Sequence, residues 1–397
     1  MNTSQVQEAY IVRAVRSPVG KYRGVFSNVR PDDLLAHCLK SVVKETPDLA
    51  AKVEDVIVGC AMPEAEQGMN VARIGVLLAG FPNNVPGITI NRFCSSGSQA
   101  VAMAADKIRL GEADVMIAAG TESMSMVPMM GNKISLNPGV FSDENIAIAY
   151  GMGITAEKVA EKWNVSREDQ DAFAVQSHER AIAATEKGLF DDEIEPFTVE
   201  RSFLNEVDYS VHSHSQEVVN DEGPRSSSPE VLAKLRTVFQ ADGSVTAANS
   251  SQMSDGAGAV LLVSEKVLTE YNLEPIGRFV TSAVAGVEPQ YMGIGPKEAI
   301  PMCLSRAGIK QSDLDWIELN EAFAAQAIAV MRELDLDPEK VNPYGGAIAL
   351  GHPLGATGAI RTATLMNGLK KTDGRYGMVT MCIGTGMGFA MIIESVR

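Results

Sequence analysis

Residues 31–40 read PDDLLAHCLK, and residues 296–305 read PKEAIPMCLS. Each stretch begins with Pro, continues as an amphipathic helix and carries a cysteine at the same place, Cys38 in one and Cys303 in the other. The likeness continues outward. DVIVGC (55–60) matches DWIELN (315–320), ITINRFCSSG (88–97) parallels EKVNPYGGAI (339–348), and VMIAAGTES (115–123) parallels VTMCIGTGM (379–387). The order both times is helix, strand, strand into Gly turn into helix, then strand, which predicts an internally duplicated α/β unit. YIVRAV (10–15) opens the first unit and RFVTSAVAG (278–286) the second. VEDVIVG, PGITIN, ADVMIAAG and YGMVTMCIG are short, apolar or β-branched, and end in turn residues, so they read as buried strands. SGSQAVAMAADKIRLG reads as an Ala-rich helix stopped by Gly111, and GATGAIRTATLMNGLKK is its counterpart.

Residues 124–245 do not repeat, and are expected to be an insertion folding over the first half, with a separate domain or a partly mobile lid as the alternatives. They hold a Met-rich segment (MSMVPMMGNK) and a helical stretch in which Ser166 and Asp169 have capping-box spacing. A polar, loop-rich stretch follows from about 198 to 230. The chain of 397 residues is long enough for two or three domains. The expected division is 5–268, including the insertion, and 274–397.

The formal net charge of −16 disfavours nucleic-acid and anionic-membrane partners. The five cysteines are odd in number and show no CxxC spacing, so neither a disulfide framework nor a metal site is expected, and a reducing compartment fits best. MNTSQVQEAYIVRAV lacks the layout of a signal peptide, and no apolar run is long enough to span a bilayer. A cytoplasmic enzyme is the expectation.

Cys94 lies between an apolar strand and an Ala-rich helix, where N-terminal N–H groups and the helix dipole favour thiolate. A buried structural cysteine is the other reading of that position. His352 lies in NPYGGAIALGHPLGATGA, where glycines at 345, 346, 351, 355 and 358 predict a shaped loop and a positioned acid or base. Cys382 closes the last strong strand, at the place of Ala118 in the duplication. It reads either as core packing or as a second acid/base, before a Gly-rich turn that offers N–H groups to an oxyanion. Asn320 closes DWIELN, where a helix N-cap would also explain it. His37, His178, His212 and His214 carry no such signal.

Four blocks, NRFCSSGSQA (91–100), NEAFAAQA (320–327), GGAIALGHPLGATGA (345–359) and CIGTGMG (382–388), resemble in order and spacing the active-site loops of the thiolase family. The resemblance runs over nearly the whole chain. It implies a five-layered αβαβα fold with duplicated halves and an inserted loop domain covering coenzyme A. It implies Cys94 as the acylated nucleophile, His352 as its base and Cys382 as the acid/base for the acetyl-CoA enolate and the CoA thiol. Asn320, through a water and with His352, would form one oxyanion hole, and the N–H groups of Cys94 and Gly384 the other. Met152, Arg225, Phe239, Ser251, Met292 and Phe323 match substrate and CoA contacts. CoA would be a co-substrate, with no permanently bound cofactor and no metal.

Two positions depart from the family's pattern. Thr385 stands where the turn often has Gly, and Gly151 where some members carry His. PEAEQGMN (63–70) and VPMMG (127–131) resemble degradative 3-ketoacyl-CoA thiolases of fatty-acid β-oxidation. The resemblance implies a homodimer or homotetramer and leaves room for hydratase and dehydrogenase subunits of a β-oxidation complex. Two thiolase-family alternatives are an acetoacetyl-CoA thiolase working in the condensing direction and a non-catalytic CoA- or lipid-binding relative. A decarboxylating ketoacyl synthase of the same fold is opposed by Cys382 together with NEAF.

Overall fold

A computed structural model describes residues 6–204 and 207–396. Gln5 and Arg397, which bound the two expected domains, and the first residues of the N-terminal segment lie outside the described residues. The strands are β1 Ala9–Arg16, β2 Gly20–Lys21, β3 Asp55–Gly59, β4 Ile88–Ile90, β5 Val115–Ser123, β6 Phe197–Leu204, β7 Val211–Val218, β8 Ser254–Ser264, β9 Gly277–Gly286, β10 Leu314–Leu319, β11 Tyr376–Ile383 and β12 Met387–Ser395. The helices are α1 Pro31–Val42, α2 Val71–Leu78, α3 Ser96–Arg109, α4 Met152–Lys162, α5 Arg167–Glu186, α6 Pro229–Leu232, α7 Glu265–Tyr271, α8 Gly295–Ala307, α9 Ala324–Leu334, α10 Ala347–Leu350 and α11 Thr357–Thr372.

The strands run in the order β10-β11-β12-β9-β1-β8-β5-β3-β4. Two similar half-sheets meet through the short antiparallel pairing of Tyr10 with Arg278 and Ile11 with Gly277. In each half a parallel pair (β3–β5, β10–β11) adjoins an antiparallel one (β5–β8, β11–β12). Every residue of β5 and β8 is buried, in keeping with the largely apolar stretches 115–119 and 257–263 within them. α1 and α2 cover the outer face of the first half-sheet, and α8 that of the second with α9 against it. α3 and α11 pack on each other between the half-sheets, giving the five expected layers. They meet at glycines: a Cβ on Gly97 would lie 2.6 Å from the Ala359 nitrogen, and one on Gly358 2.0 Å from that of Ser98. No side chain fits at either position.

Ladder register corrects one detail of the duplication. Gly59 faces Gly120, and Leu319 faces Thr380. With DVIVG matched to DWIEL, Thr380 therefore corresponds to Gly120, and Cys382 to Glu122 rather than to Ala118. The strand of Cys382 is also not the last, because β12 follows it. The second half has only a one-residue bridge, Val341 to Ile317, in the place of β4.

The segment 124–245 packs on both halves rather than over the first alone. α4 and α5 lie against α9, and α5 also against α10. Phe197 stacks edge-on against Phe26 and His37. The stretch read as loop contains the β6–β7 hairpin, with His212 and His214 on β7. Ser166 caps α5 as its spacing predicts, accepting the Asp169 N–H at 3.0 Å. Among the described residues no helix is long and apolar enough to cross a membrane.

Candidate active site

The turn Phe93–Ser95 links β4 to α3 and holds Cys94. Phe93 adopts a left-handed φ of +45°, and Asn91 fixes that bend, its Oδ1 accepting the Phe93 N–H at 2.8 Å. The Cys94 thiol faces the N–H groups of Gly384 and of Cys94 itself, the two donors expected to form an oxyanion hole. The helix-terminus argument predicts an easily ionised thiol, but the free structure gives the opposite. Burial pushes the Cys94 thiol up to about 11, and these two N–H groups only partly offset it.

Cys382 is the last residue but one of β11 and lies near Cys94. Burial, then the proximity of Cys94, raises its thiol well above the ordinary range. All five cysteines are free and buried.

His352 is not in a purely irregular loop. It stands between α10 and a 3₁₀ turn, Leu354–Ala356, that runs straight into α11. Its N–H donates to the Gln252 carbonyl at 3.2 Å and to Ser254 Oγ at 3.1 Å. Nδ1 lies 2.6 Å from Thr357 Oγ1, and Nε2 lies 3.3 Å from Asn320 Nδ2. With Asn320 donating to Nε2, the ring proton sits on Nδ1 and goes to Thr357. Burial, aided by the Arg361 charge, lowers the imidazole to about 3, so His352 is neutral over the physiological range. Asn320 is not a helix cap, since α9 begins at Ala324 with Phe323 as its N-cap. Its Oδ1 is buried without a hydrogen-bond partner.

Cys94, Gly384, Met152 and Thr385 line one cavity of about 490 Å³. Its far wall is apolar, built from Met129, Met130, Ile134, Leu136 and Ile148, with Gly151 at its edge. Cys382, Met292 and Phe323 pack with Met152 in one apolar cluster, and Phe239 meets Phe323 edge-on at 6.2 Å between ring centroids. The Ser251 N–H donates to the Ala322 carbonyl at 2.9 Å, beside Phe323. Arg225 is exposed, its backbone N–H donating to His178 Nδ1 at 3.2 Å, and it does not line the cavity. Among the described residues no cluster of three or more His, Cys, Asp or Glu is arranged to hold a metal ion.

Sequence reasoning missed two groups. Thr357 is the partner that fixes the His352 tautomer, and only its spacing five residues on hints at it. Glu122 is a buried carboxylate in an otherwise apolar and small-residue strand, an anomaly visible in VMIAAGTES.

Residues 9–266 match the family model described as thiolase, N-terminal domain, and residues 273–395 the one described as thiolase, C-terminal domain. The chain is 50% identical over 392 residues to the 3-ketoacyl-CoA thiolase of Bacillus subtilis, covering 98% of this chain and 100% of that one. Among solved structures, it resembles the Bacillus anthracis acetyl-CoA acetyltransferase with a TM-score of 0.89 at 38% identity, covering 99% of this chain and 100% of that one. Human mitochondrial 3-ketoacyl-CoA thiolase gives a TM-score of 0.88 at 37% identity with the same coverage.

Proposed function

The chain belongs to the thiolase family and is an acyltransferase, and on that premise we propose that it splits 3-ketoacyl-CoA with free CoA in fatty-acid β-oxidation. The products are acetyl-CoA and an acyl-CoA shortened by two carbons. The observation that carries this reading is that Cys94, with Cys382 close by and the N–H groups of Gly384 and of Cys94 itself facing its thiol, opens onto one apolar cavity.

The chemistry runs in two halves. Cys94 gives its proton to His352 Nε2 and adds to the 3-keto carbon, whose oxygen takes up charge near the N–H groups of Cys94 and Gly384. The bond between C2 and C3 then breaks, leaving an acyl thioester on Cys94 and the enolate of acetyl-CoA. Asn320, through a water, and His352 stabilise the enolate oxygen, while Cys382 delivers its thiol proton to C2. The Cys382 thiolate next takes the proton of incoming CoA, whose sulfur attacks the thioester and expels Cys94, which recovers its proton from His352. With the thiol raised to about 11 and the imidazole lowered to about 3, both groups are neutral at rest, so on this reading the proton leaves Cys94 as it adds to the carbonyl.

The apolar far wall takes the alkyl chain of the substrate. The CoA arm runs past Met152, Met292, Phe239, Phe323 and Ser251, with exposed Arg225 available to a phosphate. We assign residues 5–268 and 274–397 as the two domains, the cytoplasm as the compartment and a homodimer or homotetramer as the assembly, open to β-oxidation partners. The test is thiolysis of 3-ketoacyl-CoA from four carbons upward, with Cys94→Ala alongside. Activity that extends beyond four carbons and vanishes in Cys94→Ala supports the reading. Activity on acetoacetyl-CoA alone would move the protein to the acetyl-transferring branch, and CoA binding without turnover would make it a binding protein.

A further inference from the structure

Glu122 lies at the end of β5, fully buried, and its carboxylate gathers donors from both halves of the chain. Oε2 accepts the Ala61 N–H at 2.7 Å and the Gly355 N–H at 2.9 Å. Oε1 accepts the Met62 N–H at 3.2 Å and the Gln67 side-chain amide. Gln67 is in turn fixed by accepting the Ser123 N–H at 3.0 Å.

From this carboxylate two short chains of bonds reach the two reacting groups. On one side, the Ala61 carbonyl accepts Asn91 Nδ2 at 2.9 Å, and Asn91 Oδ1 holds the left-handed Phe93 that precedes Cys94. On the other side, Gly355 is the middle of the 3₁₀ turn, which Pro353 O closes by accepting the N–H groups of Ala356 and Thr357. His352 and Thr357 flank that turn and bond to each other. The backbones of Ala61 and Gly355 are in close contact, since a Cβ on Gly355 would lie 2.7 Å from the Ala61 nitrogen.

We propose that Glu122 is a positioning residue that sets the placement of the Cys94 turn relative to the His352 turn across the junction of the two halves. The inference rests on the reading of Cys94 and His352 as nucleophile and base. One oxygen spanning two backbone N–H groups is a short and stiff link, and losing it leaves the α3–α11 packing behind the two turns to hold them to each other. A displacement on the order of 1 Å between nucleophile and base costs roughly 10²-fold in rate.

The experiment uses the full-length protein with Glu122→Gln, Glu122→Ala and Asn91→Ala. Active sites are counted by iodoacetamide titration of Cys94, and acylation by 3-ketoacyl-CoA is followed per titratable site beside thermal melting. The expected result is an acylation rate per site lowered about 10²-fold in Glu122→Ala and less in Glu122→Gln, which keeps one acceptor oxygen, with the KM for CoA within about threefold of wild type. Asn91→Ala, which cuts only the Cys94 arm and guards against an unfolded Glu122→Ala, is expected to slow acylation about tenfold. Acylation per site within twofold of wild type in Asn91→Ala, or in a folded Glu122 variant, overturns the proposal and leaves Glu122 a structural tether. A wild type that cleaves no 3-ketoacyl-CoA would instead refute the thiolase reading itself.

Discussion

Glu122 and Cys382 stand at the same rung of the two half-sheets, and the two ends they occupy have opposite chemistry. At the Glu122 end the carboxylate is saturated by two backbone N–H groups of one loop, one of the other half, and a side-chain amide. At the Cys382 end the thiol finds only its own N–H, and neighbouring Asn320 keeps a buried oxygen with no partner. The duplicated scaffold thus offers one position twice. Filled by a hydrogen-bonded carboxylate, it locks loops together; filled by a thiol, it holds a group free to exchange a proton with the substrate.

The sharpest way to break this comparison is to truncate both positions. Cys382→Ala is expected to slow thiolysis roughly 10²–10⁴-fold, the worth of a positioned acid/base, with only a small fall in melting temperature. Glu122→Ala leaves several buried donors orphaned at about 1–3 kcal/mol each, so it should melt at a clearly lower temperature. Steady-state thiolysis and thermal melts of both variants decide the matter. Turnover within tenfold of wild type in Cys382→Ala, or a melting loss larger than that of Glu122→Ala, would erase the distinction.

A second test asks how far the open end is poised before substrate arrives. Burial holds the Cys94 thiol at about 11, so its thiolate fraction climbs as pH rises toward that value. Iodoacetamide alkylation of the free enzyme should therefore accelerate roughly 100-fold between pH 7 and pH 9. His352, lowered to about 3, does not titrate in that window and adds no step of its own. A rate already flat near pH 7 would mean that Cys94 and His352 rest as a thiolate–imidazolium pair.

Gly151 sharpens the comparison at the cavity's edge. A Cβ there meets nothing within 4 Å, so a side chain is accommodated by the fold while narrowing the space before Cys94. Gly151→His should raise the KM for long 3-ketoacyl-CoA about tenfold, the scale of losing one or two methylene contacts, and change acetoacetyl-CoA less than about twofold. Equal effects on both chain lengths would place the alkyl chain elsewhere.

The open end was far more legible in the sequence than the closed one. Cys94, His352 and Cys382 sit at strand ends and Gly-rich turns, where local pattern marks a shaped backbone, while Asn320 and Gly384 stand out only through the thiolase resemblance. Glu122 and Gly355 lie 233 positions apart, and no local pattern carries a bond between them. The four-residue error in matching β5 to β11 has a similar origin. It aligned Gly120-Thr121 with Gly384-Thr385 because the letters agree, whereas the ladders align backbone hydrogen bonds. The β6–β7 hairpin looks like loop in the sequence because nearly all its residues are exposed, so no buried face imposes alternation.

The smallest expected effect concerns the turn that carries Gly384. Thr385 has a left-handed φ of +66°, and its hydroxyl donates to the Gly384 carbonyl at 2.5 Å. For a β-branched residue that conformation costs about 1–2 kcal/mol, whereas glycine adopts it freely at an entropic cost of about 0.5–1 kcal/mol. Thr385→Gly should then leave stability unchanged or raise it by up to about 1 kcal/mol. The same change removes the hydroxyl that holds the Gly384 carbonyl, one peptide plane on from the Gly384 N–H that faces Cys94. Turnover should fall about two- to fivefold as that donor becomes less fixed. A melting temperature that falls while turnover holds would show the opposite arrangement, in which Thr385 supports the fold and does nothing for the donor at the open end.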